Sequence, residues 1–241
     1  MSDSLVIIPT FNEKENIEAI IRAVFNQKKA FHILVVDDNS PDGTAKIVER
    51  LKTEFSSQLF LEKRIHKNGL GTAYIHGFKW ALTKKKYDYI IEMDADFSHN
   101  PADLIRLYNA CANGDGDVAV GSRYVNNQVN VVNWDMKRLL LSYFASKYVR
   151  LITRIPIFDT TAGFVCWSKK VLETMNLDKI KFVGYAFQIE MKFKAWKHKF
   201  KIKEVSVIFT DRKLGTSKLS DGIISEALFG VIKMKFKGLP K

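Results

Sequence analysis

Short apolar runs alternate with longer segments of helical spacing over the first half of the chain. The runs have the length of buried strands and occupy residues 5–9, 32–37, 59–63, 87–94 and 117–122. Turn residues precede the segments between them, and a predicted helix begins at Pro101 and runs to about 113. Strands that alternate with helices predict an α/β fold, in which helices cover both faces of a mostly parallel sheet.

The second half of the chain is less regular. Helical spacing covers residues 137–152, 187–199 and 223–237, whereas 161–167 and 201–209 have the pattern of strands. No repeat, low-complexity tract or Pro/Gly-rich linker separates the two halves. The sequence therefore predicts a single domain over residues 1–241, with functional halves at 1–124 and 125–241.

Pairs of acidic residues follow two of the predicted strands. Asp37 and Asp38 end the second strand, and Asp94 and Asp96 end the fourth. Ligands of such folds bind where parallel strands end, and residues two apart on an extended segment share a side. Hard oxygen ligands suit Mg²⁺ or Mn²⁺, so the second pair predicts a divalent cation site. A solvated turn in which Asp96 or Asn100 caps a helix is the alternative.

The charge of the chain is strongly positive and unevenly distributed. The formal net charge is +12, and residues 192–241 hold 13 Lys and Arg against 4 Asp and Glu. A basic segment of this kind suits nucleic acid, an anionic membrane surface or phosphorylated substrates. A solubilising face is the alternative.

Cysteine content and hydropathy bear on where the protein works. The two cysteines, Cys111 and Cys166, suggest neither a disulfide framework nor a metal site, which is typical of a reducing cytoplasm. No run of 18 apolar residues is present, and the N-terminus lacks the basic start and apolar stretch of a signal peptide. We expect a cytoplasmic protein.

Eight motifs occur in an order that spans nearly the whole chain. They are IIPTFNEKENI (7–17), VVDDNSPDGT (35–44), KNGLGTAY (67–74), MDADFSHNP (93–101), VGSRY (120–124), NWDMKRLLLS (133–142), DTTAGF (159–164) and FTDRKLGTSKL (209–219). Together they closely resemble the family 2 glycosyltransferases of GT-A fold, and within these the polyprenol (dolichyl) phosphate mannosyltransferases. The resemblance implies a single GT-A domain, with a nucleotide-sugar and metal-binding half followed by an acceptor-binding half.

The resemblance implies that a sugar nucleotide and its metal bind at the carboxyl edge of the sheet. Mg²⁺ or Mn²⁺ would be held by Asp94, Asp96 and Ser98 and would offset charge on the departing diphosphate. Taken alone, Glu13 could instead favour a helix start, and Gly71 could simply allow a turn. The implied nucleotide and sugar contacts are Pro9, Thr10, Asn12, Glu13, Asp37, Asp38, Gly71, Asp94, Ala95 and Gln188.

The resemblance also implies a cationic site for the acceptor phosphate. A lipid monophosphate is already an oxyanion at neutral pH, so it needs positioning and not a general base. Arginine offers a two-pronged set of donors for phosphate. The residues assigned to this phosphate are Arg123, Arg138, Ser142, Arg212 and Lys218, and those assigned to catalysis are Asp96, Arg123, Arg138 and Arg212.

Three further residues have more than one predicted role. Asp159 could contact the sugar, orient an arginine or cap a turn, and with a hydroxyl acceptor it could act as the base. Glu190 could contact sugar hydroxyls together with Gln188, or it could lie on a helix surface. His99 is expected to orient a metal ligand.

The resemblance implies transfer of mannose from GDP-mannose to a polyprenyl monophosphate, with inversion and with a divalent metal. Transfer of glucose or N-acetylglucosamine from a UDP-sugar, to a lipid phosphate or a glycan hydroxyl, is the enzymatic alternative. A nucleic-acid-binding module would explain the positive charge but not the acidic pairs, and we expect no nucleic-acid partner. No G-x-G-x-x-G follows the first strand, which argues against a dinucleotide-binding protein.

The lipid acceptor implies a membrane partner. Basic amphipathic helices at 137–152 and 223–237 could lie on an anionic bilayer, although their apolar residues could instead pack in the core. A membrane-anchored partner subunit is the other possibility. We therefore expect peripheral association with the cytoplasmic face of a membrane.

Overall fold

The computed structural model describes residues 2–125, 128–184, 186–211 and 230–235. Strands and helices alternate regularly up to residue 122, as the apolar pattern predicts. These elements are β1 Ser4–Thr10, α1 Ile17–Phe25, β2 His32–Asp37, α2 Thr44–Glu54, β3 Leu59–Lys63, α3 Leu70–Thr83, β4 Tyr89–Glu92, a 3₁₀ turn Pro101–Asp103 leading into α4 Leu104–Ala112, and β5 Val118–Ser122.

The elements of the second half are shorter and less regular. They are β6 Val131–Val132, α5 Met136–Thr153, β7 Val165–Ser168, α6 Lys169–Thr174, a 3₁₀ turn Leu177–Lys179, α7 Ala186–Lys197, β8 Ile202–Ser206 and β9 Phe209–Thr210. The strand predicted over 201–209 is therefore interrupted, because its last part pairs with β6 in a separate two-stranded sheet. The helix predicted over 223–237 is described only for residues 230–235, which are helical.

A seven-stranded sheet forms the centre of the molecule, in the order β3-β2-β1-β4-β7-β5-β8. Side chains alternate between its faces, so that Val6 and Ile8 of β1 join one buried cluster and Leu5 and Ile7 join the other. Helices α1, α2 and α4 pack on the first face, and α3, α6 and α7 pack on the second. The prediction of an α/β fold with both sheet faces covered is confirmed.

Strand β7 is the one described strand of this sheet that runs antiparallel to its neighbours. It lies between β4 and β5, and its first residue, Val165, is paired with both Glu92 and Val120. The segment that enters β7 therefore lies at the edge where β4 and β5 end. This reversal brings residues 159–164 next to the acidic turn after β4 and the basic turn after β5.

Candidate active site

A cavity of about 250 Å³ opens at this edge of the sheet. It lies between the turns after β4 and β5, the segment before β7, and helices α5 and α7. The residues of the predicted site that line it are Asp94, Asp96, Ser98, Arg123, Arg138, Ser142 and Gln188. One cavity thus brings together side chains predicted for metal, sugar and acceptor phosphate, although those roles remain predictions.

The acidic pair lies in a turn and not on an extended strand. Strand β4 ends at Glu92, and Phe97 has a left-handed backbone with φ of 61°. The carboxylate of Asp96 accepts a hydrogen bond from the Ser98 N–H at 3.0 Å, which tightens this turn. The expected strand alternation is therefore not the reason that Asp94 and Asp96 converge on the cavity. The turn brings them there.

Two buried side chains hold Asp94 in place. The backbone N–H of Asp94 donates to His99 Nδ1 at 3.0 Å, and the hydroxyl of Tyr74 donates to its carboxylate at 3.3 Å. The His99 ring stacks on Phe164, with ring centroids 4.7 Å apart. Burial lowers the pKa of His99, so the neutral ring that accepts from Asp94 carries its proton on the other nitrogen. His99 therefore holds the backbone of the acidic turn and does not present a lone pair to a metal, and the binding of a metal by the residue that it holds stays a prediction.

The oxygen atoms of this turn fit a hard divalent cation. Asp94 and Asp96 supply carboxylates, and the hydroxyl of Ser98 is buried without a hydrogen-bond partner among the described residues. A buried, unsatisfied hydroxyl is costly unless something else binds it. No group of three or more His, Cys, Asp or Glu side chains in the described ranges could form a metal site, so an ion would need further oxygen atoms from a ligand or water.

Arg123 forms the basic wall of the cavity and is held by Asp159. Its Nε and Nη2 atoms donate to the two carboxylate oxygens of Asp159 at 2.7 and 2.6 Å, and its backbone N–H donates to the same carboxylate at 2.9 Å. Nη2 also donates to Thr161 at 2.8 Å. Of the roles open to Asp159, the structure therefore supports orientation of an arginine. Its complete burial in this pair makes it unavailable as a base.

The ionised form of Asp159 should stabilise the folded state relative to the protonated form. Burial alone would raise the pKa of Asp159, but the charge and hydrogen bonds of Arg123 outweigh it and keep that pKa below its ordinary value. The contribution is therefore present at neutral pH, where Asp159 is ionised in both folded and unfolded chains. It is lost as the pH falls below about 4 and through the folded pKa.

We expect Asp159→Asn to lower the free energy of unfolding by about 3 kcal/mol at pH 7, because it leaves the buried Arg123 charge without its partner. Urea titration of both proteins at pH 7 and at pH 3.5 measures this. The difference between them should shrink at the lower pH. An equal difference at both pH values would contradict the assignment.

Helix α5 contributes the other cation of the described cavity wall. Asp135 accepts from the Arg138 N–H at 2.9 Å and so caps the helix. The Arg138 guanidinium pairs with Asp211 at 2.7 Å and lies 4.4 Å from the centre of the Trp134 ring. Ser142 follows one turn later on the same helix face. Arg212 and Lys218 lie outside the described residues, so the rest of the predicted phosphate site stays a prediction.

The residues predicted to bind the nucleotide lie beside the cavity, around the ends of β1 and β2. Thr10 donates to Asp37 at 2.9 Å, and the backbone N–H groups of Asn12 and Glu13 donate to Ser40 and Thr44 at 3.0 Å. These bonds fix the two turns relative to each other, and Pro9 is the residue that precedes them on β1.

Asp37 and Asp38 face different partners. Asp37 accepts from the Ser40 hydroxyl at 2.6 Å and from the Ser40 N–H at 2.9 Å, in addition to Thr10. Asp38 is paired with Arg64, with Nε 2.7 Å from the carboxylate. Both acids therefore have a role in the fold, and their contact with a base or ribose stays a prediction.

Packing gives three residues from the sequence analysis a role in the fold, and contact of Gly71 and Ala95 with a nucleotide or sugar stays a prediction. A Cβ atom on Gly71 would lie 2.7 Å from the Phe187 ring, so this glycine allows close packing of α3 against a side chain of α7. Ala95 is buried in the core, which leaves only its backbone for a ligand. Glu190 is not on the helix surface: its carboxylate accepts from the N–H groups of Lys181 and Phe182 and pairs with Lys194, all within 3.0 Å.

Sequence reasoning missed a buried polar group beneath the cavity. Glu92 is fully buried on β4, and it accepts from the Trp167 indole N–H at 2.6 Å and from the Gln188 amide. Burial raises the pKa of Glu92 to about 7, although these bonds and the charge of Lys192 oppose the rise. A single carboxylate within an apolar strand, which needs a partner when buried, was the available signal.

Comparison with known families decides which class of enzyme this cavity belongs to. A model of the family described as glycosyl transferase family 2 matches residues 5–175, well over half of the chain. The chain belongs to glycosyl transferase family 2. The family 2 resemblance drawn from the motifs is confirmed, and the protein is a glycosyltransferase.

Relatives within glycosyl transferase family 2 match almost the whole chain. The polyprenol monophosphomannose synthase of Mycolicibacterium smegmatis is 42% identical over 98% of this chain and 88% of its own length. The undecaprenyl-phosphate mannosyltransferase of Micrococcus luteus is 39% identical over 95% of this chain and 92% of its own length.

Solved structures show that the family 2 fold here is GT-A. Glucosyl-3-phosphoglycerate synthase of Mycobacterium tuberculosis, solved with Mn²⁺, UDP and glucosyl-3-phosphoglycerate, has a TM-score of 0.67 at 15% identity and covers 99% of this chain and 81% of that one. A mannosyltransferase of Pyrobaculum calidifontis, solved with GDP-mannose and Mn²⁺, has a TM-score of 0.59 at 18% identity and covers 89% and 58%. At these identities the likeness shows the fold alone.

Proposed function

We propose that this family 2 enzyme transfers mannose from GDP-mannose to a polyprenyl monophosphate, with a divalent cation and inversion at the anomeric carbon. The observation that carries the proposal is the single cavity that joins the acidic turn at Asp94 and Asp96 to the basic wall at Arg123 and Arg138. Donor and acceptor are both negatively charged, so each needs positive charge nearby. A cation bound at the acidic turn would supply it for the donor diphosphate, and the arginines would supply it for the acceptor phosphate. The two 39–42% identical relatives are named for polyprenol-type mannosyl transfer, which supports the same substrates.

The acidic turn is the proposed site of the donor diphosphate. Asp94, Asp96 and Ser98 would hold Mg²⁺ or Mn²⁺, which supplies positive charge for the departing nucleoside diphosphate. Tyr74 and His99 keep Asp94 in position from below. The nucleoside would extend toward the linked turns after β1 and β2, where Asn12, Glu13 and the two strand-end acids lie.

The basic wall is the proposed site of the acceptor phosphate. A phosphate oxygen forms the new bond to the anomeric carbon while the bond from that carbon to the diphosphate oxygen breaks, so GDP leaves with the electron pair. This single displacement inverts the sugar and needs no proton transfer. Arg123, held by Asp159, would orient the phosphate for in-line attack.

The hydrogen-bond partners of Asp159 and Glu190 favour a phosphate acceptor over a hydroxyl acceptor. A hydroxyl needs a base, and the sequence offered Asp159 for that role and placed Glu190 as a second acid near the sugar. Asp159 is buried against Arg123, and Glu190 is bound to backbone N–H groups and Lys194. Neither carboxylate is available to remove a proton from an acceptor.

Transfer of labelled sugar into an organic phase tests the proposal. Purified enzyme is incubated with polyprenyl phosphate, Mg²⁺ or Mn²⁺, and either GDP-mannose or UDP-glucose. We expect metal-dependent label in the lipid from GDP-mannose. Label from UDP-glucose alone would overturn the donor assignment, and transfer to a glycan but not to the lipid would overturn the acceptor.

Helix α5 joins the cavity to an exposed apolar surface. Leu141, Ser142 and Ala145 reach the cavity, whereas the outer face presents Met136, Leu140, Phe144 and Leu151, each between 46% and 78% exposed. Lys137, Lys147 and Arg154 are exposed along the same helix and its end. Within the described part of the chain, no helix is long and apolar enough to span a bilayer. We propose that this face lies on an anionic membrane, where the lipid acceptor is held.

We expect Leu140→Ser/Phe144→Ser to weaken binding to vesicles that contain phosphatidylglycerol by at least about tenfold, because two apolar side chains no longer enter the lipid. Co-sedimentation measures binding. Ile65→Ser, a change at a residue 78% exposed elsewhere on the surface, should have little effect. Equal binding by the α5 variant and the control would contradict the proposed face.

A further inference from the structure

A buried carboxylate and a cavity amide form a connected pair beneath the acidic turn. Gln188 is 3% exposed and lines the cavity, and its Nε2 atom donates to Glu92 Oε2. The other Glu92 oxygen accepts from the Trp167 indole at 2.6 Å. The Glu92 carboxylate is therefore bridged between a fixed ring of β7 and a side chain of α7.

This bridge decides which end of the Gln188 amide faces the cavity. An ionised carboxylate can only accept hydrogen bonds, so Glu92 in that form binds the NH₂ end of the amide, as in the contact from Gln188 Nε2, and turns the amide oxygen the other way. That oxygen, Oε1, is buried and has no partner among the described residues. A buried amide oxygen without a partner can accept a hydrogen bond from a ligand, and we call Gln188 Oε1 the prepared acceptor.

The amide lies close to the acidic turn. Gly163 has no Cβ, and the position that one would occupy is 3.8 Å from both Gln188 Nε2 and His99 Cε1. His99 is the residue that binds the backbone of Asp94. The prepared acceptor is therefore near the proposed diphosphate site, where the sugar attached to that diphosphate would lie.

We infer that Glu92 is a positioning residue, which fixes the Gln188 amide so that its oxygen accepts a hydrogen bond from a hydroxyl of the donor sugar. The inference rests on the proposed function and adds a determinant of sugar recognition to it. It assigns Glu92 no contact with the substrate and no role in proton transfer.

Exchanging the two groups gives a sharp test. In Glu92→Gln the new NH₂ group can donate to Gln188 Oε1, which allows the Gln188 amide to turn and present a donor where an acceptor was. The double variant Glu92→Gln/Gln188→Glu restores the original pattern. Its new amide donates to the new carboxylate, whose second oxygen faces the cavity. The net charge is the same as in the wild type.

We expect Glu92→Gln to lower kcat/KM for GDP-mannose by about tenfold, the effect of one hydrogen bond to the sugar. Inhibition by GDP, which has no sugar, should change less than twofold. The double variant should recover at least half of the loss. Asp103→Asn is the control, because it also neutralises a buried carboxylate, which pairs with Arg106 of α4 away from the cavity. It should lower Tm without changing the ratio between kcat/KM for GDP-mannose and the inhibition constant of GDP.

Three results would overturn the inference. They are wild-type kcat/KM in Glu92→Gln, an equal loss for GDP and GDP-mannose, and failure of the double variant to recover at an unchanged Tm. If the wild type does not use GDP-mannose, the proposed donor is wrong. The same three variants are then compared with the wild type on the sugar nucleotide that the wild type does use, and the same three results decide.

Discussion

Asp96→Asn should lower mannosyl transfer by about a thousandfold, the scale of losing a main electrostatic element that stabilises the leaving group. Asparagine retains an oxygen that can accept from the Ser98 N–H, which Asp96 binds at 3.0 Å, so the turn should persist. The change therefore removes charge from the proposed metal site and little else. Label transfer and Mn²⁺ binding by electron paramagnetic resonance measure the two effects, and both should fall together.

Asp88→Asn is the matched control for the loss at Asp96. Asp88 is exposed and immediately precedes β4, at the opposite end of that strand from the acidic turn. Its variant should keep Tm, transfer and Mn²⁺ binding within about twofold. A chelator should abolish transfer by the wild type, and added Mn²⁺ or Mg²⁺ should restore it. Full transfer by Asp96→Asn with an unchanged response to metal would show that this acid has no part in a metal site.

The alternation of strands and helices was predictable because local periodicity and turn residues determine it. The direction of β7 was not. Its apolar run, Val165 to Trp167, carries no mark of orientation, and the antiparallel pairing with β4 and β5 depends on contacts far away in the chain. That reversal is what brings Asp159 and Thr161 to Arg123. Their hydrogen bonds join residues 36 and 38 positions apart.

The types of residue in the candidate site were predictable from the sequence. The residues that hold them in position were not. The acidic pair at Asp94 and Asp96 was identified from its place after an apolar run, although the reason given for its convergence was wrong. Glu92 was missed because it lies within that same run, where a lone carboxylate interrupts an otherwise buried strand. Only the structure shows that Trp167 and Gln188 satisfy it. Residues that orient others are selected by long-range packing, so sequence spacing does not reveal them.

The second large effect is expected at Arg123, where charge and geometry can be separated. Arg123→Lys keeps one positive charge but loses the planar set of donors that reaches both Asp159 oxygens and Thr161. We expect kcat/KM for polyprenyl phosphate to fall by about a hundredfold, since a misplaced cation no longer orients the nucleophile. KM for GDP-mannose should change less than threefold, because the donor is assigned to the acidic turn.

Arg106→Lys provides the comparison for Arg123→Lys. Arg106 is also an arginine paired with a carboxylate, Asp103 at 2.5 Å, but it lies on α4 and its side chain is half exposed. Loss of its planar set of donors should cost little stability, because the pair is exposed to water. Both kcat/KM for polyprenyl phosphate and KM for GDP-mannose should therefore stay within about twofold of the wild type. If Arg123→Lys instead raised KM for GDP-mannose as much as it lowered kcat/KM for the lipid, Arg123 would belong to the donor site. The division of the cavity into an acidic donor side and a basic acceptor side would then be wrong.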